Sequence, residues 1–259
     1  MHKNLDKFSI LMKAIFLLKK HPVLFLPKLI LAFLYGFGIL LSTQLLHKMI
    51  SFTSILPEEI VLDDLRNFFL LALFLLVLTV FSYFVDLFFS GLYPLLVNQA
   101  VKGKISFSKA FFELKPKLVK LFISGVIVFL FISIFSFVEA LVLFFLNFSD
   151  FGTIVSFIVT FIFIFLLYFL FPIISSKKLG VVSSFRKTIF SSFKNKHIVF
   201  LFSLIPFSVS IIKFVLAFFA DNTGLLVLFW VLVFLTGIVY TIHAVVNQLL
   251  YLNLNKRKE

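Results

Sequence analysis

Six runs of about 20 mostly apolar residues dominate this chain, at residues 24–46, 68–89 with a continuation towards Val97, 121–146, 153–171, 198–220 and 225–246. A helix rises about 1.5 Å per residue, so each run matches a hydrocarbon core about 30 Å thick. Of the 259 residues, 62% are hydrophobic and 14% charged, against roughly 45–50% and about 25% in soluble domains. Such an excess cannot be hidden in one globular core. The expected fold class is all-α, a polytopic membrane protein with six transmembrane helices in a single integral membrane domain over residues 1–259.

Between the runs a second pattern recurs. Ser106-Phe107-x-Lys109-x-x-Phe112 returns 78 residues later as Ser184-Phe185-x-Lys187-x-x-Phe190. The same shift carries Leu92-Tyr93-Pro94 onto Leu170-Phe171-Pro172. A weaker copy lies near the N-terminus, where Lys13-Ala14-x-Phe16 resembles Lys109-Ala110-x-Phe112. Each copy reads as an amphipathic helix at the cytoplasmic side of the membrane. Over residues 3–20, Leu5, Phe8, Leu11, Met12, Ile15, Phe16 and Leu18 share one face, with Lys3, Asp6, Lys7, Ser9, Lys13 and Lys20 mostly opposite. Over residues 105–121 the apolar face is Phe107, Ala110, Phe111, Leu114, Leu118 and Leu121, and Ser106, Lys109, Glu113, Lys117 and Lys120 form the other. Over residues 179–197 the apolar face is Val182, Phe185, Ile189, Phe190 and Phe193, and Ser184, Lys187, Thr188, Ser191, Lys194 and Asn195 form the polar one. The repeat divides the chain into units at about 1–97, 98–175 and 176–259, each an interfacial helix followed by a transmembrane hairpin. Proline should punctuate them: Pro22 and Pro27 set the angle of the first span, Pro94 opens the central segment, Pro116 breaks its helix and Pro206 kinks the fifth span. Gly36 and Gly38 allow one close helix contact.

Charge sets the orientation. Of the 24 Lys and Arg, six lie in the N-terminal segment through Lys28, six between the second and third runs, six between the fourth and fifth, and three in the tail. Only Lys48 and Arg66 fall on the other side, and Lys213 lies within a run. The positive-inside rule then makes both termini cytoplasmic, in a cell membrane. The same rule accounts for the net charge of +13; no nucleic-acid-binding signature is visible, and no nucleic acid is expected as a partner. Lys13, Lys109, Lys117, Lys187 and Lys194 are the candidate contacts to anionic lipid headgroups. The partners expected are membrane lipids, with room for an unspecified protein. A signal peptide is not expected at the N-terminus, because no small-residue cleavage site follows and the apolar pattern is one-sided. The segment holding Pro57, Glu58, Glu59, Asp63 and Asp64 lacks EF-hand spacing and reads as a solvated outer loop. Asn147-Phe148-Ser149 is a glycosylation sequon pressed against the membrane, where an enzyme reaches it poorly.

Ionisable groups at membrane depth default to functional hypotheses, and four stand out: Asp86, Glu139, Lys213 and His243. Glu139 and Lys213 fall in the outer halves of the third and fifth spans, which predicts a pair if those spans touch. Asp86 and His243 each lie 18 residues into an inward-running span. With Asn98, Asn247 and Gln248 they make a candidate polar cluster near the cytoplasmic end. One reading is a proton or cation relay, with His243 titrating near neutrality. The other, favoured by these residue types, is hydrogen-bonded glue between helices. The chain has no cysteine, which excludes disulfides and thiolate chemistry. It also carries no His-Glu-x-x-His, Gly-x-Ser-x-Gly, P-loop or Gly-x-Gly-x-x-Gly motif. No catalytic residue, cofactor or metal is expected.

Three stretches carry a family resemblance: the lysine-bearing helix ending in His21-Pro22-x-x-Phe25, Lys102-Gly103-Lys104-x-Ser106-Phe107, and Ser183-Ser184-Phe185-Arg186-Lys187. They resemble a broad group of prokaryotic six-span membrane proteins that includes the membrane domain attached to some glycerophosphoryl diester phosphodiesterases. The resemblance covers most of the chain and implies a multi-pass membrane module. It brings no catalytic residues, because in such proteins the enzyme is a separate soluble domain. The leading expectation is therefore a non-enzymatic module that organises lipid or a partner protein. The alternatives are a small-molecule or ion transporter with a polar relay, and a lipid-modifying enzyme. Three parallel hairpins are not the inverted repeats common in transporters, and only nine glycines argue against tight transporter-like packing.

Overall fold

The computed structural model describes residues 7–54, 62–146, 149–177, 179–220 and 223–256. They form α1 (Lys7–Lys20), α2 (Leu26–Ser54), α3 (Leu62–Val101), α4 (Phe107–Leu114), α5 (Leu118–Leu146), α6 (Ser149–Leu166), α7 (Leu170–Ser176), α8 (Val181–Lys194), α9 (Lys196–Ala220) and α10 (Leu226–Lys256). Short 3₁₀ turns at Pro22–Phe25 and Lys115–Lys117 lead into α2 and α5. No strand occurs among the described residues. Six segments among them are long and apolar enough to cross a membrane: Pro22–Lys48, Leu65–Val101, Phe107–Phe135, Ile154–Ser176, Lys196–Leu216 and Leu226–Asn255. The protein is an all-α polytopic membrane protein, the form in which each span satisfies its own backbone groups. Phe69, Leu73, Phe74 and Leu76 on α3, like Phe131 and Phe137 on α5, point away from the protein, a surface that lipid rather than water suits. Pro57, Glu58, Glu59, Asn147 and Phe148 lie outside the described residues.

The chain divides into two compact units. One comprises the described parts of Met1–Leu24, Leu87–Ser210 and Val239–Glu259; the other comprises those of Phe25–Asp86 and Ile211–Ile238. The second unit has a core of Ala32, Leu216, Phe229 and Val233, backed by Trp230. Of the two glycines expected to permit a close contact, Gly36 does so. A Cβ there would stand 2.9 Å from a Val233 methyl, while Gly38 faces open space. The first unit buries Leu96, Val97, Leu114, Leu121, Phe169, Ile173 and Val246. Within it α5 packs against α6, α7 and α8, and α8 also packs against α6 and α7.

Two prolines behave differently from each other. Pro116 sits in the 3₁₀ turn that separates α4 from α5. The continuation of the second span towards Val97 is present and reaches Val101, so Pro94, expected to open the central segment, lies inside the 40-residue α3. The buried run Tyr93, Leu95, Leu96 and Val97 holds that helix in place. A proline takes away the amide donor of the carbonyl four residues back. At Pro94 that carbonyl is Ser90, and the Ser175 hydroxyl donates to the next one, Gly91, at 2.7 Å. At Pro172 the freed carbonyl itself gains a new donor. The missing N–H of Pro172 would have bonded Tyr168, the chain breaks between α6 and α7 at this point, and Asn247 Nδ2 donates to the Tyr168 carbonyl at 2.7 Å.

Helix α8 turns inward residues that periodicity assigned to its polar face. In α8, Ser184, Thr188 and Ser192 are buried, whereas Val182, Phe190 and Phe193 are exposed. The hydroxyls of Ser184 and Thr188 donate to carbonyls four residues back, each at 2.8 Å. Their polarity is thus spent within the helix, and what they offer their neighbours is a small, smooth stripe that permits close packing. Ser192 donates onward to the Leu166 carbonyl on α6.

Candidate functional site

Three charged groups at membrane depth, Lys28, Asp86 and Lys213, belong to the second unit. Lys28 on α2 and Asp86 on α3 meet at 2.7 Å, with side chains 6% and 31% exposed. Tyr35, about two turns beyond Lys28, donates its hydroxyl to the other Asp86 oxygen at 3.3 Å. Lys213 on α9 lies over the ring of the same tyrosine, 4.1 Å from its centroid, a cation–π geometry. Tyr35 and Lys213 line a crevice of about 270 Å³ together with Gly38, Ser42, Thr79 and Ser82. The Ser42 and Thr79 hydroxyls bond carbonyls of their own helices. A crevice of this size falls just below the roughly 300–1,000 Å³ of organic-ligand pockets, and has room for an ion or up to about nine waters at roughly 30 Å³ each.

The sequence grouped Asp86 with His243, Asn98, Asn247 and Gln248. Asp86 takes Lys28 and Tyr35, both from its own unit. The other four belong to the first unit. Gln248 Nε2 donates to Asn98 Oδ1 at 2.8 Å, linking α10 to α3. Asn247 serves the Tyr168 carbonyl, and the His243 ring packs edge-on against Tyr168 at 5.4 Å. These amides tie α10 to α3 and to the stretch between α6 and α7. The side chain of Glu139 lies outside the described residues, while its expected partner Lys213 sits over Tyr35. Among the described residues no group of three or more His, Asp or Glu lies where it could hold a metal ion.

No protein-family model, curated protein or solved structure matches the chain. The site is therefore read from its own chemistry.

The candidate headgroup lysines divide by position. Lys13, Lys109 and Lys194 are exposed, and Lys187 is half-buried. Lys117 is placed differently: its ammonium donates to the Ser175 carbonyl near the C-terminal end of α7, where a cation meets the last carbonyls of a helix. Sequence reasoning missed Lys28 and Ser175. Lys28 was counted with the N-terminal basic group, yet it falls inside the 24–46 run, four residues from its start, as Asp86 falls three from the end of the 68–89 run. Comparing those depths would have paired them. Ser175 had no comparable signal.

One pattern unites the three amphipathic helices. Ala14, Ala110 and Thr188 are each 0% exposed, while Phe16, Phe112 and Phe190, two residues on, are 69%, 65% and 66% exposed. A lysine precedes the small residue every time.

Proposed function

We propose that the protein is a non-enzymatic membrane module that organises anionic lipid along three amphipathic helices at the cytoplasmic face of the cell membrane. The observation that carries this reading is the triplet of buried small residue, outward phenylalanine and adjacent lysine in α1, α4 and α8. The small residue lets the helix lie close against the spans. The phenylalanine then enters the acyl region while the lysine reaches the headgroup level. The resemblance to the membrane domains of glycerophosphoryl diester phosphodiesterases is compatible with such a module, and the lysine asymmetry supports cytoplasmic termini. The test is the lipid retained by protein purified in mild detergent. Wild type should be enriched in phosphatidylglycerol and cardiolipin over the bulk membrane. A Lys13→Gln/Lys109→Gln/Lys187→Gln variant with unchanged melting temperature should lose that enrichment. Retained lipid matching the bulk composition would refute the reading.

A second reading rests on the crevice beside Tyr35 and Lys213: passage of a small ion, with the Lys28–Asp86 pair as relay. Ion flux in proteoliposomes that disappears in Asp86→Asn but persists in the triple glutamine variant would favour it.

A further inference from the structure

We infer that the groove between α1 and the C-terminal ends of α3 and α10 is a binding site for one anionic phospholipid. The site rests on the lipid reading above and deepens it. Its volume is about 1000 Å³, at the top of the usual range for ligand pockets. One wall is the outward face of α1, where Phe8, Met12 and Phe16 follow one another at four-residue spacing and remain exposed. Leu249 and Leu252 on α10 face them across the groove. This is a slot of acyl-chain character that a lipid can enter from the bilayer.

The charged part of the groove lining is cationic. Lys13 and Lys102 line the groove, and none of its lining residues is acidic. Both lysines are exposed. Asn98 also lines the groove, and its carbonyl oxygen is committed to Gln248, so the amide NH₂ is the end left to donate. The C-terminus of α3 would ordinarily oppose an anion. Here its Gln99 and Ala100 carbonyls are capped by the amides of Lys102, Gly103 and Lys104. Gly103 makes that turn at φ 87, in the left-handed region open to glycine. Two lysines and an amide donor in a largely apolar lining are complementary to a phosphodiester carrying acyl chains. They do not suit a zwitterion, whose own cation they would repel.

The experiment is a lipid titration of the delipidated full chain in detergent, read by native mass spectrometry. Wild type should take up one phosphatidylglycerol before any other lipid, about 30-fold more tightly than phosphatidylcholine, as two lysines near a headgroup would give. Lys13→Gln/Lys102→Gln should lose that preference, and Lys13→Arg/Lys102→Arg should keep it. Leu252→Trp, which fills the slot, should lose the first binding event for both lipids. Arg66→Gln, at an exposed residue outside the groove, should leave the first event unchanged. Helix content by circular dichroism and its melting curve check that each variant is folded. Inorganic phosphate or oleate displacing phosphatidylglycerol at equal concentration would overturn the phospholipid assignment. So would a first event unaltered in both the Lys13→Gln/Lys102→Gln and Leu252→Trp proteins. If those variants bind like wild type while purified protein still carries enriched anionic lipid, the groove fails and the module reading stands. If wild type shows neither enrichment nor preference, both fail.

Discussion

Asp86 joins two kinds of contact, an ion pair to Lys28 and a hydrogen bond from Tyr35. Asp86→Asn leaves the Lys28 ammonium, itself nearly inaccessible, without this counter-charge. Breaking a buried pair from one side costs roughly 3–5 kcal/mol, and the partial exposure of Asp86 places this case at about 3 kcal/mol or less. Lys28→Met/Asp86→Leu should recover most of that loss, since replacing both charges with apolar groups is often neutral. Thermal unfolding in detergent measures both, read through Trp230, which packs against Phe33, Phe37 and Phe229 in the same unit. Sequence depth alone pointed to Asp86 and Lys213 as residues of interest. It could not name Tyr35, because a phenol among six tyrosines has no pattern until helices α2, α3 and α9 come together.

At the scale of helices, periodicity located α1, α4 and α8 and sorted their residues into two faces. It did not say which face turns inward, because lipid reverses the usual logic: apolar side chains lose nothing by facing acyl chains, and small residues are what helices pack against. The hydroxyl stripe of α8 was therefore read as part of its polar side, whereas it packs inside the protein. Thr188→Leu should accordingly destabilise by about 1–3 kcal/mol through overpacking, while Phe190→Leu should stay within about 0.5 kcal/mol in detergent. Melting curves of the two variants make the comparison. The break between α6 and α7 offers a sharper test. Asn247→Leu strands the Tyr168 carbonyl and should cost about 1–3 kcal/mol. Adding Pro172→Ala restores an amide four residues on, so the double variant should melt above Asn247→Leu alone.

For the molecule as a whole, length and hydropathy made the six spans legible, and the structure extends several of them by a turn or more. The three-part division suggested by the repeat and the two compact units describe different things, one the order of the sequence and the other the density of contacts. Pairings such as Lys28 with Asp86 or Ser175 with Gly91 join residues 58 and 84 positions apart, and no local pattern encodes which spans become neighbours. Orientation is testable directly, since the chain has no cysteine. In intact cells, Lys104→Cys should resist an impermeant maleimide and Asp64→Cys should react with it; the reverse pattern would invert the topology. One small residue concentrates much of what has been described. Ser175 gives its hydroxyl to α3 in the turn before Pro94 and takes Lys117 on its carbonyl, while Ser176 beside it is exposed. Two identical neighbouring letters thus carry opposite mutational tolerance. In a saturation survey scored by yield of folded protein, alanine, cysteine or valine at the first should cut yield several-fold, and the same changes at the second should pass unnoticed.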